Sequence, residues 1–504
     1  MSTPPIPDTP TQHHMVQDLR ANRLAKAHKL RELGINPYPH SFPRSHQNAE
    51  LQAHYANLEN GSDTTDEVKV AGRIMAMRNN GMFIDLLDAS GKIQLFSHQD
   101  HLDPASKVIL DLLDIGDIVG AMGTIRRTPR GELSVRVQTL VVLSKALLPL
   151  PEKHHGLTDV EQRYRQRYLD LIMSEESRQT FVTRSLIVRH LRQLMEAEGY
   201  IEVETPMLHH TQGGAAAKPF HTHHNALGID LLLRIAPELD LKRLLVGGLY
   251  DGVFEINRCF RNEGISVRHN PEFTTIEAYK MCLDADQVMT QNDRVLSQLV
   301  TRIHGSPKVA FGDYMLDFTP PWPRHRMTDT IKAACGLDFE AISDPDQAVA
   351  AAASVGVKLP PKTSWGEAVA EVFGEKVEPS LIQPTHIIDY PRDISPLAKA
   401  HRHDPRFAER FESFANGWEI ANGFSELTDP LDQRARFEDQ VAARLNGNDE
   451  AMMLDEDFIT ALEYGLMPCG GFGIGIDRLT MLLTNRHSIR DVIAFPTLRP
   501  KHQG

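Results

Sequence analysis

Phe254 to Tyr279 reads FEINRCFRNEGISVRHNPEFTTIEAY, which predicts strand, polar loop, strand. Alternation puts Phe254, Ile256 and Phe260 on one face and Glu255, Asn257, Cys259 and Arg261 on the other. On the return strand Phe273, Thr275, Glu277 and Tyr279 share a face. Such a hairpin can present Arg261, Phe273, Glu277 and Tyr279 to one pocket. A guanidinium fork suits phosphate and carboxylate. An aromatic face can stack on a purine, and a carboxylate can pair with an ammonium. A merely solvated hairpin would not need Arg-x-Glu before the turn and Phe-x-x-x-Glu-x-Tyr after it.

Three other features invite a functional reading. Gly470-Gly471-Phe472-Gly473-Ile474-Gly475-Ile476-Asp477-Arg478 reads as a glycine-rich strand entering an apolar helix. Its glycines allow close backbone approach, the helix start favours anions, and Arg478 adds a cation. The stretch is neither G-x-G-x-x-G nor a P-loop, so alone it is weak. Glu412 to Glu426 brings together Glu412, Glu419, Asn422 and Glu426. Glu412 and Glu419 can hold Mg²⁺, while Asn422 and Glu426 can face a cationic group. By spacing alone, ordinary surface acid is the better reading of that cluster. His209-His210 and His221-Thr222-His223-His224 invite a zinc reading. They lack H-E-x-x-H or a third-ligand spacing, so polar sheet-edge or interface histidines are preferred.

Upstream the pattern changes to short β-type runs: Val68–Met75, Gly81–Leu87, Ile93–Ser97, Ile118–Ile125 and Leu133–Leu143. Turn signals separate them. Five such strands suit a small barrel of OB type, a fold that often binds single-stranded nucleic acid. Arg126, Arg127, Arg130 and Arg136 against Glu132 form a local basic patch. Residues 1–14 read as a frayed tail. Met15 to Leu33 reads as a helix whose Arg20, Arg23, Lys26, Lys29 and Arg31 serve equally well as a solvated face or a phosphate-contacting arm. Glu161 to Asp170 reads as a salt-bridged connecting helix, and Ser177 to Glu198 as a helix stopped by Gly199. Strands and helices then alternate, which indicates α+β. The expected division is a disordered tail and helical extension (1–65), a barrel (66–148), a linker (149–178) and a sheet domain (179–504) with a mainly helical insertion over about 284–384.

The 504 residues have ordinary globular composition, 41% hydrophobic and 24% charged, with a formal net charge of −13. An acidic chain is not a general polyanion binder, so any nucleic acid must meet local basic patches. Cys259, Cys282, Cys335 and Cys469 form no C-x-x-C pair, which argues against a disulfide framework. The N-terminus lacks a signal-type apolar core, and no apolar run approaches the ~18 residues of a membrane span. A reduced cytoplasmic chain without membrane attachment is expected.

Taken in order, these residues carry a family resemblance. Gly199-Tyr200-Ile201-Glu202-Val203-Glu204-Thr205-Pro206, Phe260-Arg261-Asn262-Glu263 through Glu277, and Gly471 through Arg478 resemble motifs 1, 2 and 3 of the class II aminoacyl-tRNA synthetases. Arg234-Ile235-Ala236-Pro237-Glu238-Leu239, Arg261 through Thr274, and Asn422 through Glu426 are similar to the bacterial lysyl-tRNA synthetase family of subclass IIb. The resemblance covers about Met15 to the C-terminus. It implies an OB-type barrel for the anticodon, followed by an antiparallel-sheet catalytic domain. It also implies roles. Arg261 and Arg478 would be catalytic. Glu263, His269, Asn270 and Phe273 would join them around ATP. Gly214, Glu238, Arg261, Glu277, Tyr279, Asn422, Phe424 and Glu426 would hold L-lysine, and Glu412 and Glu419 would hold Mg²⁺. Arg73, Phe83, Gln94 and Glu132 would meet the anticodon of tRNA(Lys), and motif 1 would form a homodimer interface. Three departures stand out: Lys218 where the family pattern has Arg, a Gly248–Gly252 turn one residue longer, and the proline-rich tail.

Other activities fit less well. A relative that charges aspartate or asparagine needs a cation where Glu238 and Glu426 stand. A paralogue that lysylates proteins would lack the barrel. A non-catalytic nucleic-acid-binding module would not need Arg261, Glu277 and Arg478 together, and a zinc hydrolase lacks ligand spacing.

Overall fold

The computed structural model describes residues 10–151, 159–360 and 362–500. The chain forms two compact units that divide at Thr158 and Asp159.

The first unit contains strands β1 (Asp63–Arg78), β2 (Phe83–Leu87), β3 (Lys92–Phe96), β4 (Ile118–Arg127) and β5 (Leu133–Ser144). They close into a barrel in the order β1-β2-β3-β5-β4. Period-two alternation fixes what points where. Ile84, Leu86, Ile93 and Leu95 fill the interior, which turns Phe83, Asp85, Gln94 and Phe96 outward. Ahead of the barrel runs the helix Pro10–Glu32. It starts five residues before the expected Met15, because nothing in Pro10–His14 opposes a helix once proline occupies its first turn. Residues 1–9 of the expected tail lie outside the described residues. Two of the helix's cations are not a phosphate arm. Arg23 is buried and donates to the carbonyls of Ile115, Ala146 and Leu148, and Lys26 pairs with Asp114 at 2.7 Å. The barrel's basic patch is also partly neutralised. Asp63 lies 2.5 Å from Arg136 and 3.5 Å from Arg126, and Arg127 donates to backbone carbonyls of Gly131 and Tyr55.

The second unit opens with two short helices, Val160–Arg165 and Arg167–Met173. Arg163 and Arg167 pair with Asp170 at 2.9 and 2.6 Å. An eight-stranded, mainly antiparallel sheet follows. Its order across the sheet is Arg324–Arg326, Thr385–Pro391, Phe407–Ala415, Trp418–Ser425, Cys469–Gly475, Glu272–Met281, Gly252–Phe260 and Ile201–Glu202. One face is apolar: Phe254, Ile276, Ala278, Ala421, Phe472 and Ile474 pack against the helices Glu175–Ala197, Ala285–His304 and Ile476–Leu483. The opposite face carries the polar residues of the same strands.

The helical insertion is narrower than 284–384. Ala285–His304 contributes Val288, Leu296 and Leu299 to the main core, and Arg324–Arg326 is an edge strand of the main sheet. The inserted helices are Met327–Cys335, Pro345–Ser354 and Trp365–Lys376, with their own apolar cluster around Phe339, Val369 and Phe373. Amphipathic spacing alone does not distinguish a helix packed on the sheet from one packed on other helices.

Candidate active site

Strand register builds the site. Across the sheet Glu255 faces Glu277, Glu277 faces Gly473, Gly473 faces Asn422, and Asn422 faces Glu412. Two residues along, Val253, Tyr279, Gly471, Phe424 and Arg410 form the next row. These rows share the polar face. The central strand supplies glycines as a floor. A Cβ on Gly471 would run into a Glu426 carboxylate oxygen and the Tyr279 ring, so that position needs glycine.

Glu419 lies three residues from Asn422, and strict alternation would send it to the other face. A register shift between Ser413 and Phe414 falls between them. This bulge re-aims the strand, and Glu412, Glu419 and Asn422 all line one cavity of about 520 Å³. The cavity also takes in Gly214, Glu238, Arg261, Glu263, His269, Asn270, Phe273, Glu277, Tyr279, Phe424 and Arg478. Glu426 is the exception: it is fully buried behind the cavity wall.

The loop after Phe260 is pinned at several points. Arg261 N–H donates to the Pro271 carbonyl, and Asn262 N–H to that of Lys218. The Asn270 amide is engaged at both ends, donating to Glu272 and accepting from Thr497 N–H at 3.0 Å. Asp477, one residue before Arg478, accepts from Thr274 N–H and pairs with Arg184 at 2.6 Å. Arg261 lies 5.0 Å from the Phe273 ring centroid. Its buried Nε has no hydrogen-bond partner among the described residues. Arg478 donates to the Glu419 carboxylate at 3.1 Å and lies 3.0 Å from His269 Nε2. Burial, then Arg478 and Arg268, lower the His269 pKa. Since Arg478 can only donate, Nε2 accepts, and Nδ1–H is left to donate to Ser266 Oγ at 2.9 Å.

Three carboxylates cluster at the other end. Tyr279 O–H donates to Glu277 at 2.9 Å. Burial, then the charge of Glu238, push Glu277 up to about 8. Glu238 and Glu426 both contact the ammonium of Lys242, which is wholly buried. Sequence reasoning missed Lys242, although its spacing of four from Glu238 places the two on one helix face. It also missed Arg410. That guanidinium donates to Asn422 at 3.0 Å and Glu412 at 2.7 Å, and lies 4.7 Å from the Tyr390 ring centroid. Burial, then the charge of Glu419, push Glu412 up to about 7. Two close carboxylates of this kind supply hard oxygen donors for a divalent ion. Lys218, the departure from the family pattern, pairs with Asp449 at 3.2 Å. His209 and His223 lie 3.0 and 2.7 Å from Asp240 and Asp230.

On the barrel, Phe83 and Phe96 sit side by side with centroids 5.4 Å apart, and Arg126 lies 4.7 Å from the Phe96 ring centroid. Gln94 accepts from Ser134 at 2.9 Å, and Lys92 lies 3.9 Å from Glu132. Arg73 stands apart from these. It pairs with Leu87, four residues along β2 from Phe83, and donates to the Gly116 carbonyl at 2.7 Å.

The chain matches family models described as "tRNA synthetases class II (D, K and N)" over residues 159–499 and "OB-fold nucleic acid binding domain" over residues 68–143. Among similar curated proteins, the lysine–tRNA ligase of Sinorhizobium medicae is 51% identical over 479 residues, 95% of this chain and 96% of the relative. That of Moorella thermoacetica is 51% identical over 488 residues, 96% and 99% of the two chains. That of Carboxydothermus hydrogenoformans is 49% identical over 493 residues, 97% and 100%. With these matches running along nearly the whole of each chain, this protein belongs to the class II tRNA synthetases, in the lysine–tRNA ligase family.

Proposed function

We propose that the cavity joins L-lysine to ATP and passes the lysyl group to the 3′ end of tRNA(Lys). One observation carries the reading of the site. The cavity sets Arg261, whose buried Nε has no hydrogen-bond partner among the described residues, beside Phe273 at one end, and Glu238 and Glu277, with Glu426 buried behind them, at the other. A ligand with two ammonium groups, a carboxylate and a neighbouring purine phosphate answers all of these. Arg261 binds the lysine carboxylate and the ATP α-phosphate, Phe273 stacks on adenine, and Glu263 reads its amino group. His269 and Arg478 hold the outer phosphates, and Asn270 shapes the loop beside them. Glu277 and the Gly214 carbonyl take the α-ammonium; the left-handed backbone of Gly214 (φ 85°) turns that carbonyl. Glu238, Glu426, Asn422, Tyr279 and Phe424 surround the ε-ammonium.

The lysine carboxylate oxygen forms a bond to the α-phosphorus as the bond to the bridging oxygen breaks, and pyrophosphate leaves. No residue need act as a base, because the carboxylate is already ionised. Alignment and charge stabilisation by Arg261 and Arg478 supply the catalysis. A hydroxyl of the terminal tRNA ribose then attacks the lysyl carbonyl, and AMP leaves. Glu412 and Glu419 would hold Mg²⁺. One or two carboxylates are the usual protein share of a Mg²⁺ site that works on a nucleotide, so this pair would suffice. When bound, the ion offsets phosphate charge.

Phe83, with Gln94 and Glu132 on the same outer barrel face, would stack on and read anticodon bases; Arg73 would act from the far end of β2. The edge strand Ile201–Glu202 and its flanking motif 1 residues would form a homodimer. The four cysteines are free thiols, which suits the cytoplasm. Among the described residues no helix is long and apolar enough to cross a membrane.

The test is amino-acid-dependent ATP–pyrophosphate exchange with Mg²⁺ across the twenty amino acids, without tRNA. Signal with lysine alone is expected. Exchange with aspartate or asparagine would overturn the pocket assignment, and no exchange from a folded, ATP-binding protein would overturn the activity.

A further inference from the structure

Those roles leave one buried charge unexplained. Lys242 lies one turn after Glu238 on the helix Glu238–Val246, with its side chain wholly inaccessible. Its ammonium bonds to Glu238 and contacts Glu426. The rings of Phe424 and Tyr279 stand 5.4 and 5.6 Å away. The Lys242 ammonium meets one Glu426 oxygen directly, while the other, Oε1, is buried with no hydrogen-bond partner among the described residues, although a buried carboxylate needs several donors.

The charges around this cluster can be counted. Glu238 comes from the helix, Glu277 from the strand Glu272–Met281, and Glu426 from just after Trp418–Ser425. Tyr279 and Cys469 also face it, and burial holds both above their ordinary ranges, so they stay neutral. The nearby guanidiniums are paired with other carboxylates, Arg234 with Glu255 at 3.0 Å and Arg410 with Glu412 at 2.7 Å, and Lys399, which donates to the Thr428 hydroxyl at 3.3 Å, forms no ion pair with these three carboxylates among the described residues. Arg261 lies toward the lysine carboxylate and the phosphate. Three carboxylates thus face one resident ammonium, a deficit of two positive charges. Lysine carries two ammonium groups.

We propose that Lys242 is a positioning residue for substrate selection: a built-in ammonium that fixes Glu238 and Glu426 against each other, so that the pocket is completed by two further ammonium groups and not by one. The inference rests on reading Glu238, Glu277 and Glu426 as the lysine pocket. An amino acid with a neutral side chain brings one ammonium and leaves a buried carboxylate without a counter-charge, an arrangement that is strongly disfavoured. Burial opposes charge on Lys242, but Glu238 and Glu426 outweigh it and hold its pKa above the ordinary range. It therefore remains a cation at any working pH. The empty pocket instead relieves its excess negative charge by holding protons on its carboxylates, and lysine must displace them.

Lys242→Met removes the charge at nearly constant length. In ATP–pyrophosphate exchange at pH 7 the lysine KM is expected to rise at least tenfold, with the ATP KM within twofold of wild type. The defect should shrink toward pH 8.5, because carboxylates without a neighbouring cation lose their protons only at higher pH. A lysine KM within twofold of wild type overturns the proposal. So does a rise shared equally by lysine and ATP at every pH, the mark of a general packing defect. Should the variant not fold, the wild-type enzyme still tests the charge count. Calorimetric titration with lysine at pH 7, in two buffers of different ionisation enthalpy, should show net proton release, and buffer-independent heats overturn it. Glu426→Gln run in parallel separates the two readings. An unchanged lysine KM there fails the pocket itself. A raised KM there beside a wild-type-like Lys242→Met fails only the role of Lys242.

Discussion

Glu426→Gln tests the lysine pocket most directly. The carboxylate is fully buried, and the substitution keeps shape and one acceptor oxygen while removing the charge. Ammonium and carboxylate at about 3 Å in a medium of effective dielectric about 20 attract by about 5 kcal/mol. A hydrogen bond to a charged group contributes a net of about 1.5–3 kcal/mol. The surviving amide oxygen retains part of this, while the new amide N–H groups face Lys242 unfavourably. A loss of about 2–4 kcal/mol follows, or roughly 30- to 1,000-fold in kcat/KM for lysine at about 1.4 kcal/mol per decade. The assay is lysine-dependent ATP–pyrophosphate exchange, with lysine varied at saturating ATP and then the reverse. Arg261, Phe273 and Arg478, the residues proposed to meet ATP, make no contact with Glu426 among the described residues, so the ATP KM should stay within about twofold. Unchanged lysine KM and kcat in a folded Glu426→Gln protein would refute the pocket.

Three further outcomes are expected. Phe83→Ala should weaken tRNA charging by about 1–3 kcal/mol, the value of one base stack, and spare adenylate formation. Phe83 belongs to the first unit, whereas the cavity is built wholly from the second; loss of lysine-dependent exchange in that variant would refute the division of labour. Gly471→Ala should abolish lysine use more severely than ATP binding, since the added Cβ meets Glu426 and Tyr279; equal loss of both would point to collapse of the sheet instead. The pH profile follows from Glu277, pushed up to about 8. Its protonated form cannot pair with an ammonium, so kcat/KM for lysine should rise up to about tenfold per pH unit between pH 6.5 and 8 and flatten above. A flat profile across that window would refute a proton on this carboxylate in the empty pocket.

Which parts of the site were legible in the sequence depended on how far apart the partners lie. Arg261, Phe273, Glu277 and Tyr279 sit within one hairpin, where a period of two assigns the face without knowledge of the rest of the chain. Gly471 and Gly473 were legible as a place of close approach, although what approaches, Glu426 and Tyr279, was not. Glu412 and Glu419 could be paired as acids in the sequence, but not placed on one face of the sheet, because the bulge that turns Glu419 depends on the neighbouring strand. Asp63 was missed as the partner of Arg126 and Arg136 because barrel closure, not local pattern, brings β1 to β4. Arg23 read as a surface charge until the three carbonyls that hold it came into place. In each case the misread residue belongs to an interaction that exists only after long-range pairing.

Lys242 is the sharpest instance, and it bears on substrate choice. A lysine in an amphipathic helix reads as solvated, and nothing local marks it as a wholly buried ion. Once it is placed, the pocket's preference becomes a matter of charge more than shape. Aspartate would add a carboxylate to a site already short of two positive charges. Asparagine and leucine would supply only one of the two. Ornithine carries both charges and falls short by one methylene, a difference worth only about 1–3 kcal/mol. The charge count therefore predicts an ordered discrimination in pyrophosphate exchange: ornithine nearest to lysine, neutral side chains well behind, and acidic ones last. A neutral amino acid that outperforms ornithine would mean that packing against Tyr279 and Phe424, and not the deficit of positive charge, selects the substrate.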